Sequence, residues 1–393
     1  MRVHVLDPSA FTPPYDRALC AALARLGLEV ELFTSRFAYG PVPPASGYEV
    51  HEFFYRLGPG RAAWDRVAPG SPAAGAPAPG ADGTSSRLRL ATKLAQHIPD
   101  MARYRRAAAR ADVVHFQWLT VQPLDVHLLP RGRPLVLTAH DILPREPRPG
   151  QLSAQRRLYE RVDAVIVHSD HGRARLVEEL GVAPAKVHTI HHGAFTYLTG
   201  LEREQPLPPP LAAVEQPVVL CFGLMRPYKG IDVLLDAWRQ VEGAELWIVG
   251  MPRMDIERLR ATAPPSVRWV PRFVTDPEIP AYFRRADVVV LPYRQIDQSG
   301  VLFTALAFGR PLVLTDVGGF SEIAREGAAR LVAPGDPEAL GRTLAELVVD
   351  PAARGRLGDA ARAAAAGPYA WDTAARRTAE LYETLVSTSS PAR

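Results

Sequence analysis

The segment CFGLMRPYKG, residues 221–230, carries Arg226 and Lys229 in a short loop between an apolar run and an amphipathic one. A glycine such as Gly223 at a strand end lets a ligand approach the backbone, and the free N–H groups that open the next helix attract anions. Two cations beside them complete a site suited to a diphosphate, where an ordinary loop would leave two solvated cations. The segment LPYRQIDQSGVLFTALAF, residues 291–308, repeats the logic, because Ser299, Gly300 and Val301 put a small hydroxyl and bare amides at the start of an apolar helix. That is a second anion cradle. Serine is also a favoured helix cap, and the two roles are compatible. A third segment, TDVGGFSE (315–322), ends on Glu322, whose carboxylate can accept from hydroxyls unless it is simply an exposed turn residue.

The first half offers different chemistry. In TAHD (138–141), His140 ends an apolar run with Asp141 beside it. An imidazole there can hydrogen-bond hydroxyls or a phosphate. In HFQW (115–118), His115 and Trp118 end another run, and Trp118 offers either a flat apolar face to a ring-shaped ligand or a core side chain. His191 and His192 are adjacent without a carboxylate partner, so no metal site is expected. Cys20 and Cys221 lie far apart in apolar surroundings and read as buried thiols, not a disulfide.

Loops of this kind need strands to hold them. Short β-branched runs are predicted as strands at 3–6, 30–33, 113–116, 135–138, 164–167 and 187–190. A second series follows at 218–222, 246–249, 267–270, 288–291 and 312–314. Helical patterns separate them: Leu19, Cys20, Leu23 and Leu26 before Gly27, and Ile231, Leu234, Leu235, Trp238 and Val241 after the first loop. The expectation is an α/β chain of two doubly wound parallel sheets, each opening as a nucleotide-binding fold does. Residues 58–86, rich in Gly, Pro, Ala and Ser, are expected to form a mobile surface loop. Residues 201–216 are Pro-rich and are expected to link a first domain, 1–200, to a second, 217–368. An amphipathic helix is predicted near the C-terminus, with Trp371, Ala375, Leu381 and Leu385 as anchors.

Composition narrows the function classes. The chain has 393 residues, 47% of them hydrophobic, enough for two or three cores. No run approaches the ~20 apolar residues of a membrane helix, and the start reads as a strand, so a cytoplasmic location is expected. The net charge is only +4, with +6 in residues 1–200 and −2 in the rest. The excess gathers at 87–110, which holds seven Arg or Lys and one Asp. That stretch suits a peripheral membrane contact or an anionic acceptor, or is a plain solvated helix face. No nucleic-acid recognition motif accompanies the charge. The glycine spacing does not match a dinucleotide fingerprint either.

Taken together, the motifs resemble glycosyltransferase family 4, a retaining family of the two-domain GT-B type. FGLMRPYKGIDVLLDAW (222–238) resembles its donor loop, RWVPRFVTDPEIPAYFRRADVVVLP (268–292) its nucleoside-binding stretch, ALAFGRPLVLTDVGGFSEI (305–323) its A-G-x-P-V block, and YAWDTAARRTAELYETL (369–385) its C-terminal helix. The resemblance implies two Rossmann-like domains facing across a cleft, with helix 370–388 completing the first. It implies that Arg226 and Lys229 grip the donor diphosphate, that Gly223, Ser299, Gly300 and Val301 approach it, and that Phe273 and Val274 flank the base. By the same resemblance His140 contacts the donor sugar and stabilises the transition state, and the 11–16 loop with Tyr15 and Asp16 forms part of the acceptor side, to which the strand-end residues His115, Trp118 and Asp141 are added as acceptor candidates. The implied partners are a nucleotide-sugar donor, as co-substrate without further cofactor or metal, and a glycan, lipid-linked or small-molecule acceptor. The family's two signature glutamates are absent, their slots holding Ile296 and Thr304, and Leu224 replaces the usual donor-loop Arg. Residues 298–301, QSGV, resemble a recurring bacterial variant in which Thr304 bonds the ribose. A GT-B scaffold that has lost catalysis is the alternative expectation.

Overall fold

A computed structural model describes residues 1–37, 42–56, 83–142 and 150–389, without the side chains of 83–94 and 389. The expected loop 58–86 lies outside the described residues up to 82, and 83–86 already belong to a helix. The chain divides into two compact units. Unit 1 comprises Met1–His191 and Trp371–Arg393, and unit 2 comprises His192–Ala370.

Unit 1 is built on seven parallel strands, β1 (Arg2–Asp7), β2 (Glu29–Thr34), β3 (Glu49–Glu52), β4 (Val113–Phe116), β5 (Leu135–Thr138), β6 (Ala164–Val167) and β7 (Val187–Thr189). Their order is β3-β2-β1-β4-β5-β6-β7, so the winding reverses between β1 and β4. The central strands are buried on both faces, which is why VVHF and AVIV read as unbroken apolar runs. Helix α1 (Pro13–Arg25) begins with two prolines, whose fixed φ suits a first turn. Helices α2 (Gly83–Ala107), α3 (Gln122–Leu128), α4 (Gln151–Arg161) and α5 (Asp170–Glu178) cover the sheet. The last helix, α14 (Trp371–Ser389), packs on α1 through Trp371, Ala375 and Tyr382.

Unit 2 has six parallel strands, β8 (Val218–Phe222), β9 (Glu245–Val249), β10 (Val267–Val270), β11 (Val288–Leu291), β12 (Leu312–Thr315) and β13 (Ala329–Val332). The order β10-β9-β8-β11-β12-β13 puts the reversal between β8 and β11. The helices are α6 (Pro209–Ala212), α7 (Ile231–Trp238), α8 (Glu257–Thr262), α9 (Ile279–Arg285), α10 (Gly300–Ala307), α11 (Phe320–Arg325), α12 (Pro337–Val349) and α13 (Pro351–Ala366). Successive residues of β9 feed opposite cores. Trp247 joins Tyr282, Phe283 and Phe303 on one face, while Leu246 joins Leu234, Trp238 and Leu344 on the other. Each such fully buried side chain contributes about 2–3 kcal/mol.

Residues 201–216, expected as a linker, lie within unit 2. Leu211 is buried, the Gln205 N–H donates to the Pro277 carbonyl at 2.7 Å, and Glu204 pairs with Arg284. The units part instead at His191 and His192. Both cysteines are buried free thiols.

Candidate functional site

In an open α/β sheet, ligands bind outside the carboxyl ends of the strands where the winding reverses. Each unit has one such point; Gly223, Lys229 and Val301 meet at one, and His140, Trp118 and Tyr15 at the other.

At the β8/β11 point of unit 2 the loop after β8 turns through a single 3-10 turn, Pro227–Lys229, and Gly230 holds φ +66° to enter α7. A Cβ on Gly230 would stand 2.0 Å from the Pro292 carbonyl oxygen, so this position brings the two loops together. Arg294 clamps them further, donating its N–H to the Tyr228 carbonyl at 2.7 Å and its guanidinium to the Pro227 carbonyl and Asp232. The clamp turns Lys229 inward. A Cβ on Gly223 would lie 3.0 Å from Lys229 Nζ and 3.1 Å from Val301 Cγ2, so the glycine, the ammonium and the first turn of α10 meet at one spot. Lys229 is buried with Nζ 4.9 Å from the centre of the Tyr293 ring. Burial works against its charge, but the phenol of Tyr293, with Tyr228 and Cys221, outweighs this and holds the ammonium above its ordinary range. Arg226 stays exposed.

Ser299 stands at the N-cap of α10, but its hydroxyl makes no cap bond and faces Tyr293 at 3.4 Å. Thr304 is buried and donates to the Gly300 carbonyl at 2.9 Å, leaving its oxygen lone pairs. Phe273, 44% exposed after β10, presents an open ring, while Val274 turns into the core. Glu322 lies buried in the first turn of α11. Tyr293, within the 291–308 segment, carries no distinct signal in the sequence, yet it shapes the Lys229 environment.

The β1/β4 point of unit 1 is made of side chains. His140 is half-buried, its Nε2 meets the Gln117 amide at 3.1 Å, and its Nδ1 meets His168 Nε2 at 3.3 Å. His168 donates Nδ1–H to the Ile190 carbonyl at 2.9 Å, and burial holds its ring neutral, down to about 4. Trp118 stacks on His140 with ring centres 5.0 Å apart, and Tyr15 meets it edge-on at 4.7 Å. One face of Trp118 is therefore already used, and its indole N–H donates to Thr12 Oγ1 at 2.9 Å, tying the loop after β4 to the loop after β1. His140 thus stands at the strand end expected for it, but with both ring nitrogens engaged inside the unit.

Three of the expected acceptor-side residues are enclosed. His115 is fully buried between the hydroxyls of Tyr382 (2.6 Å) and Thr138 (2.7 Å), and burial drives its pKa down to about 3. Tyr15 is buried. Asp16 is buried beside Asp7, and burial together with that second carboxyl holds it well above the usual carboxylate range. Pro13–Asp16, expected as loop, already form the first turn of α1. Asp141 is exposed. His168 was missed; its signal is a histidine that ends a buried strand, as His140 does. Away from both points, Glu31, Glu49 and His51 cluster on the outer strands, with His51 on Glu31 at 2.9 Å.

Comparison with known proteins bears on the family and the fold. Residues 216–350 match the family described as glycosyl transferases group 1, and residues 14–193 match the glycosyl transferase 4-like domain. The chain is 30% identical over 252 residues to a GDP-mannose:glycolipid 4-beta-D-mannosyltransferase of Xanthomonas campestris, covering 56% of this chain and 68% of that protein. It is 28% identical to D-inositol 3-phosphate glycosyltransferase 1 of Catenulispora acidiphila, covering 72% and 74%. Among solved structures, sucrose-phosphate synthase from Thermosynechococcus elongatus superimposes with a TM-score of 0.71 at 20% identity, over 99% of this chain and all of that one. HepE of Anabaena in complex with UDP gives 0.68 at 19% identity, over 98% and 100%. Two Rossmann-like sheets, a family match on each and the Xanthomonas relative lead to one assignment: the chain belongs to the group 1, family 4-like glycosyltransferases of the GT-B fold.

Proposed function

We propose that the protein moves a sugar from a nucleoside-diphosphate sugar to a hydroxyl acceptor, with the diphosphate seated at the β8/β11 point. The observation that carries this is the buried Lys229 ammonium beneath Gly223 and Val301, surrounded by phenols and a thiol. Breaking the anomeric bond builds negative charge on the leaving diphosphate. Buried Lys229, exposed Arg226 and the amides of Ser299, Gly300 and Val301 meet that charge, and one preorganised donor contributes about 3–4 kcal/mol. Phe273 flanks the base, Thr304 accepts from the ribose as in the Q-S-G-V variant, and Glu322 accepts from the sugar. His140 contacts the transferred sugar, with Trp118 and Asp141 on the acceptor side. No metal or further cofactor takes part.

The named relatives and structural neighbours favour GDP or UDP as the nucleotide and a glycolipid or polyol phosphate as the acceptor class. Arg105, Arg106 and Arg110 are exposed on the basic 87–110 stretch, which supports a peripheral contact with the inner face of a membrane and a cytoplasmic location. Among the described residues no helix is long and apolar enough to cross a membrane. Flotation with anionic liposomes tests that contact, and absence of binding counts against it.

Family resemblance gives retention of anomeric configuration. Inversion is the second reading. It is favoured by the Xanthomonas relative, named for a β-linked mannose transferred from GDP-mannose, an α-linked donor. Proton NMR of the fresh product separates the two. The first test of function is a thermal-shift screen of UDP, GDP and their sugars. Ligand at about 100 times its Kd stabilises by about 2.7 kcal/mol, and Lys229→Ala and Arg226→Ala remove the shift. No shift with any nucleotide in a folded protein points to a non-catalytic scaffold.

A further inference from the structure

A second set of side chains reaches the β1/β4 point from beneath. Asp125 and His97 are both fully buried, with Asp125 Oδ1 2.6 Å from His97 Nε2. The other carboxylate oxygen accepts the Val121 N–H at 2.7 Å. His97 Nδ1 lies 2.8 Å from the Tyr55 hydroxyl, and the two rings stack at 6.0 Å. The Tyr55 hydroxyl in turn meets the side-chain hydroxyls of Thr120 and Ser9. Those two bond each other at 2.8 Å, across the loops that follow β4 and β1. Ser9, Thr120 and Tyr55 are half-buried, so the chain of bonds ends at the surface of the unit.

Hydrogen counting gives the chain a direction. A carboxylate has no proton to give, so His97 must donate from Nε2. A neutral ring then has only a lone pair on Nδ1, and Tyr55 donates to it. Burial pushes the Tyr55 phenol up to about 12, which keeps that proton in place. The Tyr55 oxygen accepts from Thr120 or Ser9, and these two share their remaining proton. Every proton points inward, and the outermost oxygen has only lone pairs to offer.

The backbone supports the placement. Among the described residues, Ala10 and Tyr55 are the only non-glycines with positive φ, at 49° and 55°, and both adjoin this spot. A left-handed conformation is unfavourable for any residue that carries a Cβ. Here it is held by the Tyr55 N–H on Asp100 at 2.7 Å and the Ala10 N–H on the Asp7 carbonyl at 3.1 Å. Retained strain of this kind gathers at functional positions.

We propose that Ser9 and Thr120 form an acceptor-binding subsite that takes a hydroxyl as hydrogen-bond donor and rejects groups that only accept, with Tyr55, His97 and Asp125 as positioning residues that fix its polarity. This deepens the glycosyltransferase reading and rests on it for the identity of the ligand as the sugar acceptor.

The test uses the intact chain and a change that reverses the polarity while keeping the atoms. In Asp125→Asn the amide oxygen still accepts from Val121 while the amide N–H donates to His97 Nε2. The ring proton moves to Nδ1, and Tyr55 turns its own proton outward. Nitrogen NMR of histidine-labelled protein at neutral pH should find the proton on Nε2 in the wild type and on Nδ1 in the variant. The binding probes are methyl α-mannoside, methyl β-glucoside and their O-methylated forms, followed by saturation-transfer NMR. The wild type should prefer the hydroxyl forms by about tenfold, roughly one hydrogen bond. Asp125→Asn and Tyr55→Phe should each bring that ratio close to one without changing UDP or GDP binding. A proton on His97 Nδ1 in the wild type, no binding of any probe, or an unchanged ratio in Tyr55→Phe overturns the proposal. A purely structural relay would lower thermal stability in the variants and leave the ratio alone. If the wild type binds the probes but no nucleotide, the donor reading fails and the hydroxyl subsite stands.

Discussion

The two sheets share a winding plan but finish their reversal points with different materials. At β8/β11 the chain strips itself bare: Gly223 and Gly230 let loops and ammonium close on one another, and Ser299 leaves the first amides of α10 without a side-chain cap. At β1/β4 the chain does the opposite and fills the point with rings and hydroxyls that hold one another, from Trp118 on His140 to Ser9 on Thr120. An anion is recognised by backbone dipoles and fixed charge, which needs glycine and closeness. A hydroxyl can donate or accept, so a site that discriminates must have its own polarity set from behind. On the proposed reading, the difference between the units follows the difference between those two ligands.

The sharpest way to break the comparison is Gly230→Ala. A left-handed alanine with its Cβ 2.0 Å from the Pro292 oxygen should cost about 3–4 kcal/mol. Chemical denaturation should show a lowered midpoint with an unchanged slope, and stability close to wild type would mean that the loops are not pressed together. Lys229→Ala should leave the fold in place but lower turnover about 100-fold, near 3 kcal/mol, with the loss appearing in nucleotide affinity as well. Tenfold or less would shift the anion site toward Arg226 and the amides.

A third change addresses unit 1. His168 is neutral in the fold, with its pKa down to about 4, whereas an unfolded histidine titrates near 6.5. The unfolded chain therefore binds the extra proton first, and stability is lost as pH falls from about 6.5 toward 4. His168→Gln should remove up to about 3 kcal/mol of that acid sensitivity. Denaturation curves at pH values across this window should be flatter for the variant, and parallel curves would contradict a buried neutral ring. Smallest of all, Ser299→Ala should change stability by less than about 0.5 kcal/mol, because no cap bond is lost. Nucleotide binding should hold within about threefold. A large loss would mean that the hydroxyl, and not the amides, carries the contact.

What could be read in the sequence follows the same division. Central strands such as VVHF and VVVL are buried on both faces and announce themselves as apolar runs. The edge strands β3 (EVHE) and β13 (ARLV) were missed because half their side chains face water and leave no run to see. The unit 2 site was legible because glycines, cations and a helix start lie within ten residues of one another. The Asp125–His97–Tyr55 relay was not. Its members sit on three segments, and nothing in their spacing forecasts that two helices and a loop bring them within hydrogen-bond reach. The hydroxyl of Tyr382 on His115 was hidden for the same reason, its partner lying 267 residues away.

That last distance bears on how the protein comes into being. Unit 2 is one continuous stretch and holds all its core residues once the ribosome has passed Ala370. Unit 1 begins first and is completed last, because α14 covers Tyr15 with Trp371 and closes on His115 with Tyr382. With synthesis at about 5–20 residues per second, the nascent first sheet waits tens of seconds with that side of α1 open. Chain order and folding order are reversed, and the emerging protein is most in need of shelter at its earliest-made residues.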